Sequence, residues 1–309
     1  MRILLLGANG QMGRALRSPL SSLGEVVMGA RDEDPVEGLV KADLALEGEV
    51  GSLIETLRPD YVVNVAAYTA VDKAEQEPAL AERVNHHAVF EIARACTETG
   101  AALVHISTDY VFDGGGEGPY QPGDPTYPLG VYGVSKLRGE QAIRSTGCTH
   151  VMLRTAWAYG LEGSNFLTTM LRLGAEREEL GVVNDQIGSP TPTWWIAEVI
   201  SRVIRKGVSG GATHHMVTEG QVSWHGFALA IFEEAVARGM LARSPKVRAI
   251  TSDDYPTPAR RPPYSVLDTR SLRAAYDIAP LQWRVALMET FDRGGVRARP
   301  SGRGAASIR

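Results

Sequence analysis

Cysteine is nearly missing from this chain. Cys96 and Cys148 are the only two in 309 residues, and no CxxC spacing occurs. That excludes a disulfide framework and argues against a thiolate zinc site. No apolar run reaches the ~18–20 residues needed to span a bilayer. The opening "MRILLLGANG" is too short and too glycine-interrupted for the apolar region of a signal peptide. HExxH and the P-loop pattern are absent, so metal-hydrolase and nucleotide-triphosphatase readings have no support. An excess of positive charge is confined to one place. The net charge is −4, yet residues 293–309 hold five arginines and no acid, so the body is more acidic than the total suggests. An acidic body excludes a basic nucleic-acid footprint spread across the fold. The expectation is a cytoplasmic, soluble protein with no membrane and no nucleic-acid partner.

What is present is an ordinary globular composition, 44% hydrophobic and 22% charged, able to bury a core. Apolar runs of strand length recur at 2–7, 25–30, 61–67, 102–108 and 150–157. Near-continuous apolarity, without alternation, is the mark of strands covered on both faces. Helical patterns lie between them. In 78–100, Leu80, Val84, Ala88, Ile92 and Cys96 form one stripe that Gly100 stops. Strand–helix repetition predicts an α/β fold, a Rossmann-type doubly wound parallel sheet. After residue 156 proline, tryptophan and glycine become frequent. This predicts a dinucleotide-binding domain over 1–156, to which later segments return, and an interleaved, smaller substrate lobe over 157–292. A disordered basic tail is expected over 293–309.

Gly7, Gly10 and Gly13 follow the first strand directly and open the first helix. That is the context a dinucleotide fingerprint needs: a tight turn, close backbone approach to a pyrophosphate, and phosphates on the free N–H groups of a helix N-terminus. NAD sites usually carry an acid at the end of the second strand. Here Ala30 stands there and Arg31 follows, a combination suited to a 2′-phosphate, so NADPH is expected, with NADH use left open. Asp43 is a loop acid placed for the adenine end, and Asn64, Ala66 and Ala67 close the third strand beneath the cofactor.

At the other end of the site, "HISTDYVFDG" places Ser107, Thr108 and Asp109 at the carboxyl end of a buried strand, where ligands bind in such sheets. Tyr132 and Lys136 are four apart, hence on one helical face. These parts suit carbonyl reduction. Tyr132 protonates the developing alkoxide, Thr108 holds the carbonyl oxygen, and the Lys136 cation is expected to lower the phenol's pKa toward neutrality.

With those motifs on the page, the chain resembles the extended short-chain dehydrogenase/reductases, and specifically the dTDP-4-dehydrorhamnose reductases. "GANGQMG", "RPDYVVNVAAYTAVDKAE", "HISTDYVFDG", "VYGVSKLRGE", "LRTAWAYG", "NFLTTMLRL", "VVNDQIGSPT" and "YPTPARRPPYS" carry the resemblance, in consistent order to about residue 290. It implies Thr108, Tyr132 and Lys136 as the catalytic trio. It implies Val71, Asp109, Thr108, Tyr132 and Trp157 against the substrate. It implies Gly7, Asn9, Gly10, Gln11, Met12, Gly13, Ala30, Arg31, Asp43, Leu44, Ala66, Ala67 and Tyr68, with Tyr132 and Lys136, around the cofactor. The implied reaction is NADPH-dependent reduction of the C4 ketone of a dTDP-4-dehydro-6-deoxy-L-hexose. Arg172, Arg177, Arg260 and Arg261 are candidate holders of the diphosphate.

Two rivals stand beside that reading. One is an NAD-retaining epimerase or dehydratase of the same fold, which Asp109 keeps open. The other is a regulatory subunit without chemistry, against which the intact trio speaks. His86–His87 and His214–His215 are adjacent pairs, not the i, i+4 arrangement of helix metal ligands, and no metal is assigned. Some relatives are thought to bridge subunits through magnesium on helix glutamates. Glu198 is the only acid within "TWWIAEVISR", which leaves magnesium undecided and a homodimer possible.

Overall fold

A computed structural model of the chain describes residues 1–295. At its centre lie β1 (Arg2–Leu6), β2 (Glu25–Ala30), β3 (Leu39–Lys41), β4 (Tyr61–Asn64), β5 (Ala102–Thr108), β6 (His150–Thr155) and β7 (Gly211–His215). They pair in the order β7-β6-β5-β4-β1-β2-β3, all parallel. Helices α1 (Gln11–Ser21), α2 (Glu49–Leu57), α3 (Ala88–Thr99), α4 (Val131–Thr146) and α5 (Thr193–Lys206) cover the sheet. The expected doubly wound sheet is present.

The strands read as continuous apolar runs because both faces are buried. Ile3, Leu5, Val63 and Val104 pack with Leu16 and Leu20 of α1 and Ile196 and Ile200 of α5. Their neighbours Leu4, Leu6, Val62 and Leu103 pack on the opposite face with Val50 and Ile54 of α2 and Ile92 and Cys96 of α3. Each such side chain contributes about 2 kcal/mol on burial. Beyond α4 the chain builds a third core, with Tyr159, Leu167, Phe227, Phe232 and Phe291 inside it. Around it stand the helices Phe166–Glu176, Trp224–Ala237 and Trp283–Arg293 and a parallel pair, Glu179–Val183 with Lys246–Ile250. Between these segments α5 and β7 return to the central sheet.

Two expectations change. The helix expected over 78–100 is interrupted: Pro78–Glu82, then a π-helical turn over Arg83–His87, then α3, which Gly100 closes at φ +79°. The wider turn inserts extra rotation, so the stripe does not run straight through. Ala88, Ile92 and Cys96 are in the core, whereas Leu80 is 39% exposed. The basic tail also begins later than residue 293. Arg293 closes the last helix, stacks on Trp194 at 3.8 Å and pairs with Glu198 and Glu289, each at 2.8 Å. The rest of that segment, from 296 on, lies outside the described residues. Among the described residues no helix is long and apolar enough to cross a membrane.

Candidate active site

β1 hands over to α1 through Gly7, at φ +85°. A Cβ on Gly7 would lie 2.8 Å from the Ala66 nitrogen, and one on Gly13 would lie 2.1 Å from the Gly7 carbonyl oxygen. Glycine therefore lets the turn, the helix and the loop after β4 close on one another. Gly10 caps α1 without a side-chain bond, which leaves the first N–H groups of the helix open to an anion. These groups face a cleft of about 760 Å³ that also takes in Asn9, Gln11, Met12, Arg31, Asp43, Leu44, Ala66, Ala67 and Tyr68. A glycine cradle over an open helix N-terminus fits a dinucleotide diphosphate.

Ala30 does not belong to this cleft. It is buried in the core, and its carbonyl accepts the Ala42 N–H at 2.6 Å. Arg31 does line the cleft, with an exposed side chain paired to Asp32 at 3.2 Å. Asp43 is oriented by the Ala45 N–H, which donates to its Oδ1 at 2.9 Å. The Tyr68 hydroxyl donates to Glu77 at 2.7 Å. Leu80 and Val84, expected on a buried stripe, line the cleft instead because of the π-helical turn before α3.

The small residues between Tyr132 and Lys136 have a structural reason. A Cβ on Gly133 would sit 2.3 Å from the Tyr110 carbonyl oxygen, so α4 rests on the turn that follows β5. That contact brings Tyr132 to Thr108. The two side chains share one pocket, and Thr108 Oγ1 donates to Asp109 Oδ1 at 3.0 Å. Burial pushes the Tyr132 phenol up to about 12; the Thr108 hydroxyl opposes this and the Asp109 charge adds to it. Burial likewise raises the Asp109 carboxyl to about 6, opposed by Ser265 and Thr108.

The Lys136 cation is expected to pull the phenol down, yet the phenol is raised. The lysine Nζ is engaged elsewhere: it donates to the Ile106 carbonyl at 2.7 Å and meets His105 Nε2 at 3.3 Å. Burial lowers the lysine itself to about 8, against the opposing charge of Glu140. Nothing local in the sequence marks the roles of His105 and the Asn64 side chain. A histidine within an apolar strand carries no local sign of which neighbour it will meet.

One pocket of about 210 Å³ gathers Thr108, Tyr132, Lys136, Val71, Asp109 and Trp157. Met12 and Ala67 line both this pocket and the larger cleft, so the two are continuous. Trp157 has a left-handed backbone, φ +46°, and its ring stacks on Trp224 at 3.5 Å and 6°. For a bulky non-glycine residue such a conformation is costly and persists only where surrounding packing imposes it. Trp224 in turn lines a cavity of about 910 Å³ in the lobe, together with Arg177, Arg260 and Arg261. Arg261 is fixed there by Asp72, through contacts of 2.7 and 3.0 Å. Arg172 is elsewhere, on the surface, paired with Glu176 at 2.9 Å.

Among the described residues, Glu82, His86 and His87 bring ligand atoms within 4.8 Å of one another, a proximity created by the π-helical turn. Arg138 already holds the Glu82 carboxylate at 2.9 Å. His214 bonds Ser271 at 3.1 Å, and Glu198 is taken by Arg293.

The family model of the RmlD substrate binding domain matches residues 1–295. A dTDP-4-dehydrorhamnose reductase from Burkholderia thailandensis is 44% identical over 296 residues, covering 93% of this chain and 97% of that protein. The chain belongs to the dTDP-4-dehydrorhamnose reductase family. Solved members of the family superpose closely on it. The dTDP-4-dehydrorhamnose reductase from Clostridium acetobutylicum matches with a TM-score of 0.86 and 36% identity, over 96% of this chain and 100% of that one. The enzyme from Bacillus anthracis, in complex with NADP, matches with a TM-score of 0.82 and 33% identity, over 94% of this chain and 99% of that one.

Proposed function

We propose that the protein is an NADPH-dependent reductase that converts the C4 ketone of dTDP-4-dehydro-L-rhamnose, or a close relative, to the alcohol. The observation that carries the reading is the continuity of the cleft around Gly7, Gly10 and Gly13 with the pocket of Thr108, Tyr132 and Lys136. A nicotinamide bound in the cleft supplies the hydride. Tyr132 supplies the proton: a phenol held near 12 is fully protonated at neutral pH and so ready to donate to an alkoxide. Thr108 fixes the carbonyl oxygen beside that phenol. Trp157 closes the sugar end against water, and the lobe cavity with Arg177, Arg260 and Arg261 holds the nucleotide diphosphate. Binding energy from that remote part orients the ketone. The Bacillus anthracis relative with NADP bound and the exposed Arg31 at the cleft both support the phosphorylated cofactor. Nucleotide sugars and NADPH circulate in the cytoplasm, the compartment this reading implies.

The test is NADPH oxidation with dTDP-4-dehydro-L-rhamnose beside its free-sugar and UDP-linked counterparts. Turnover confined to the dTDP substrate is expected. Equal rates on the free sugar would overturn the nucleotide-handle argument, and no rate on any of the three would overturn the substrate.

A further inference from the structure

A hydrogen-bond chain with one fixed direction runs from the loop after β4 to the catalytic lysine. It starts at the backbone N–H of Ala66, which donates to Asn64 Oδ1 at 3.1 Å. A backbone N–H can only donate, so the Asn64 amide has one orientation: its Nδ2 faces His105 Nδ1, at 3.1 Å, as a donor. His105 Nδ1 must then accept. A neutral imidazole has one accepting nitrogen, so the proton of His105 is on Nε2. His105 is wholly buried, and burial holds its pKa well below the ordinary value, which keeps the ring neutral. The group that His105 Nε2–H faces is Lys136 Nζ, at 3.3 Å. An ammonium has three donors and no lone pair, and it would meet that N–H donor to donor. An amine accepts it and still donates to the Ile106 carbonyl at 2.7 Å.

We propose that Asn64 and His105 are positioning residues that favour Lys136 as an uncharged amine in the resting protein at mildly alkaline pH, and that Lys136 takes up a proton there as the dinucleotide enters. The second half rests on the reading of the cleft given above. Glu140, one turn along α4, favours the ammonium, but its carboxylate is bound by Arg154 from β6 at 2.7 and 2.8 Å and by Arg144 at 2.9 Å. His105 on β5 and Tyr132 on α4 carry no charge at neutral pH, and the Asp109 carboxylate acts on Tyr132. His150, on β6, acts on His105. A dinucleotide brings a diphosphate and ribose hydroxyl acceptors into a cleft continuous with the lysine's pocket, and both favour the ammonium. Once protonated, Lys136 cannot keep its contact with His105. The proton therefore frees the side chain for the cofactor.

Two measurements decide this. In the free protein labelled with ¹⁵N-histidine, His105, assigned by its loss in His105→Leu, is expected as the Nε2–H tautomer across pH 6–9. The Nδ1–H tautomer or an imidazolium would overturn the inference. Calorimetric titration with NADPH at pH 9, where a lysine lowered to about 8 is mostly uncharged, in buffers of different ionisation enthalpy should show uptake approaching one proton per cofactor. Absence of uptake would overturn the second half. In Asn64→Asp the new carboxylate accepts from both neighbours and reverses the chain. His105 should shift to Nδ1–H and the uptake should fall by more than about half, as expected for a lysine already charged. An unchanged uptake in a folded Asn64→Asp protein with the reversed tautomer would also sink the proposal. If NADPH does not bind at all, the reading of the cleft and the uptake half fail together, while the tautomer in the free protein still decides the resting state.

Discussion

Glu75 Oε1 accepts the backbone N–H of Val131 at 2.8 Å, and so caps the helix that carries Tyr132 and Lys136 from 56 residues away in sequence. Gly130 is the cap residue of that helix, and it has no side chain of its own to do this. A carboxylate at a helix N-terminus also meets the positive end of the helix dipole. Glu75→Ala should cost about 1 kcal/mol, the ordinary worth of a cap. The corresponding fall in melting temperature is about 2 °C in a chain of this size. Because the freed turn holds Tyr132, kcat should fall while NADPH affinity, measured by fluorescence, stays within a few-fold. Unchanged kcat would show that the cap serves stability alone.

Tyr132→Phe removes the proton donor and leaves a ring of nearly the same shape on α4. Turnover should drop at least ~10²-fold, the low end for general acid catalysis. Cofactor affinity should hold. A variant that binds NADPH normally and reduces substrate within a few-fold of the parent would remove Tyr132 from the chemistry.

Arg31 lines the cleft whereas Ala30 is in the core, which makes Arg31 the position to test for cofactor choice. Arg31→Glu places a carboxylate where a 2′-phosphate would lie and where a 2′-hydroxyl could donate. The ratio of kcat/KM for NADPH over NADH should fall by at least about tenfold, or ~1.4 kcal/mol. A parent enzyme that already uses the two cofactors equally would show that Arg31 carries no selectivity.

The Asp109 carboxyl keeps its proton to about pH 6 in the folded protein, against 3.8 for an ordinary aspartate. Between those values the native state binds more protons than the unfolded one, so stability falls as pH rises through the window. The loss is complete above about pH 6 and amounts to an order of 2–3 kcal/mol. Asp109→Asn, which keeps an acceptor for Thr108, should remove that slope. Thermal unfolding of both proteins at pH 4 and pH 7 measures it. A gain confined to pH 7 is expected; parallel curves would show that Asp109 ionises without penalty.

The central strands were legible because they are buried on both faces, and so were the glycine turn and the Tyr132–Lys136 spacing, which are local. The two strands without a signal in the sequence are β3 and β7, the edges of the sheet. β3 has three residues, and "GATHH" in β7 is polar because only its end is buried. Legibility also failed wherever a role depends on a distant partner. Arg172 and Arg177 look alike in sequence, yet one pairs on the surface and the other lines a cavity. Lys136 could be placed on the right face of its helix, but not its engagement with β5, which belongs to the strand behind it. The π-helical turn at Arg83–His87 is a small departure in hydrogen bonding with a large effect on which side chains face the cleft.

Trp157 and Trp224 lie at van der Waals separation with nearly parallel rings, and each borders a different chamber. Two indoles so close absorb and emit as a coupled pair. A ligand entering either chamber would therefore perturb one optical band, from opposite sides. The protein carries its own reporter at the junction of the two chambers. Filling of each chamber can be followed by intrinsic fluorescence with no label attached.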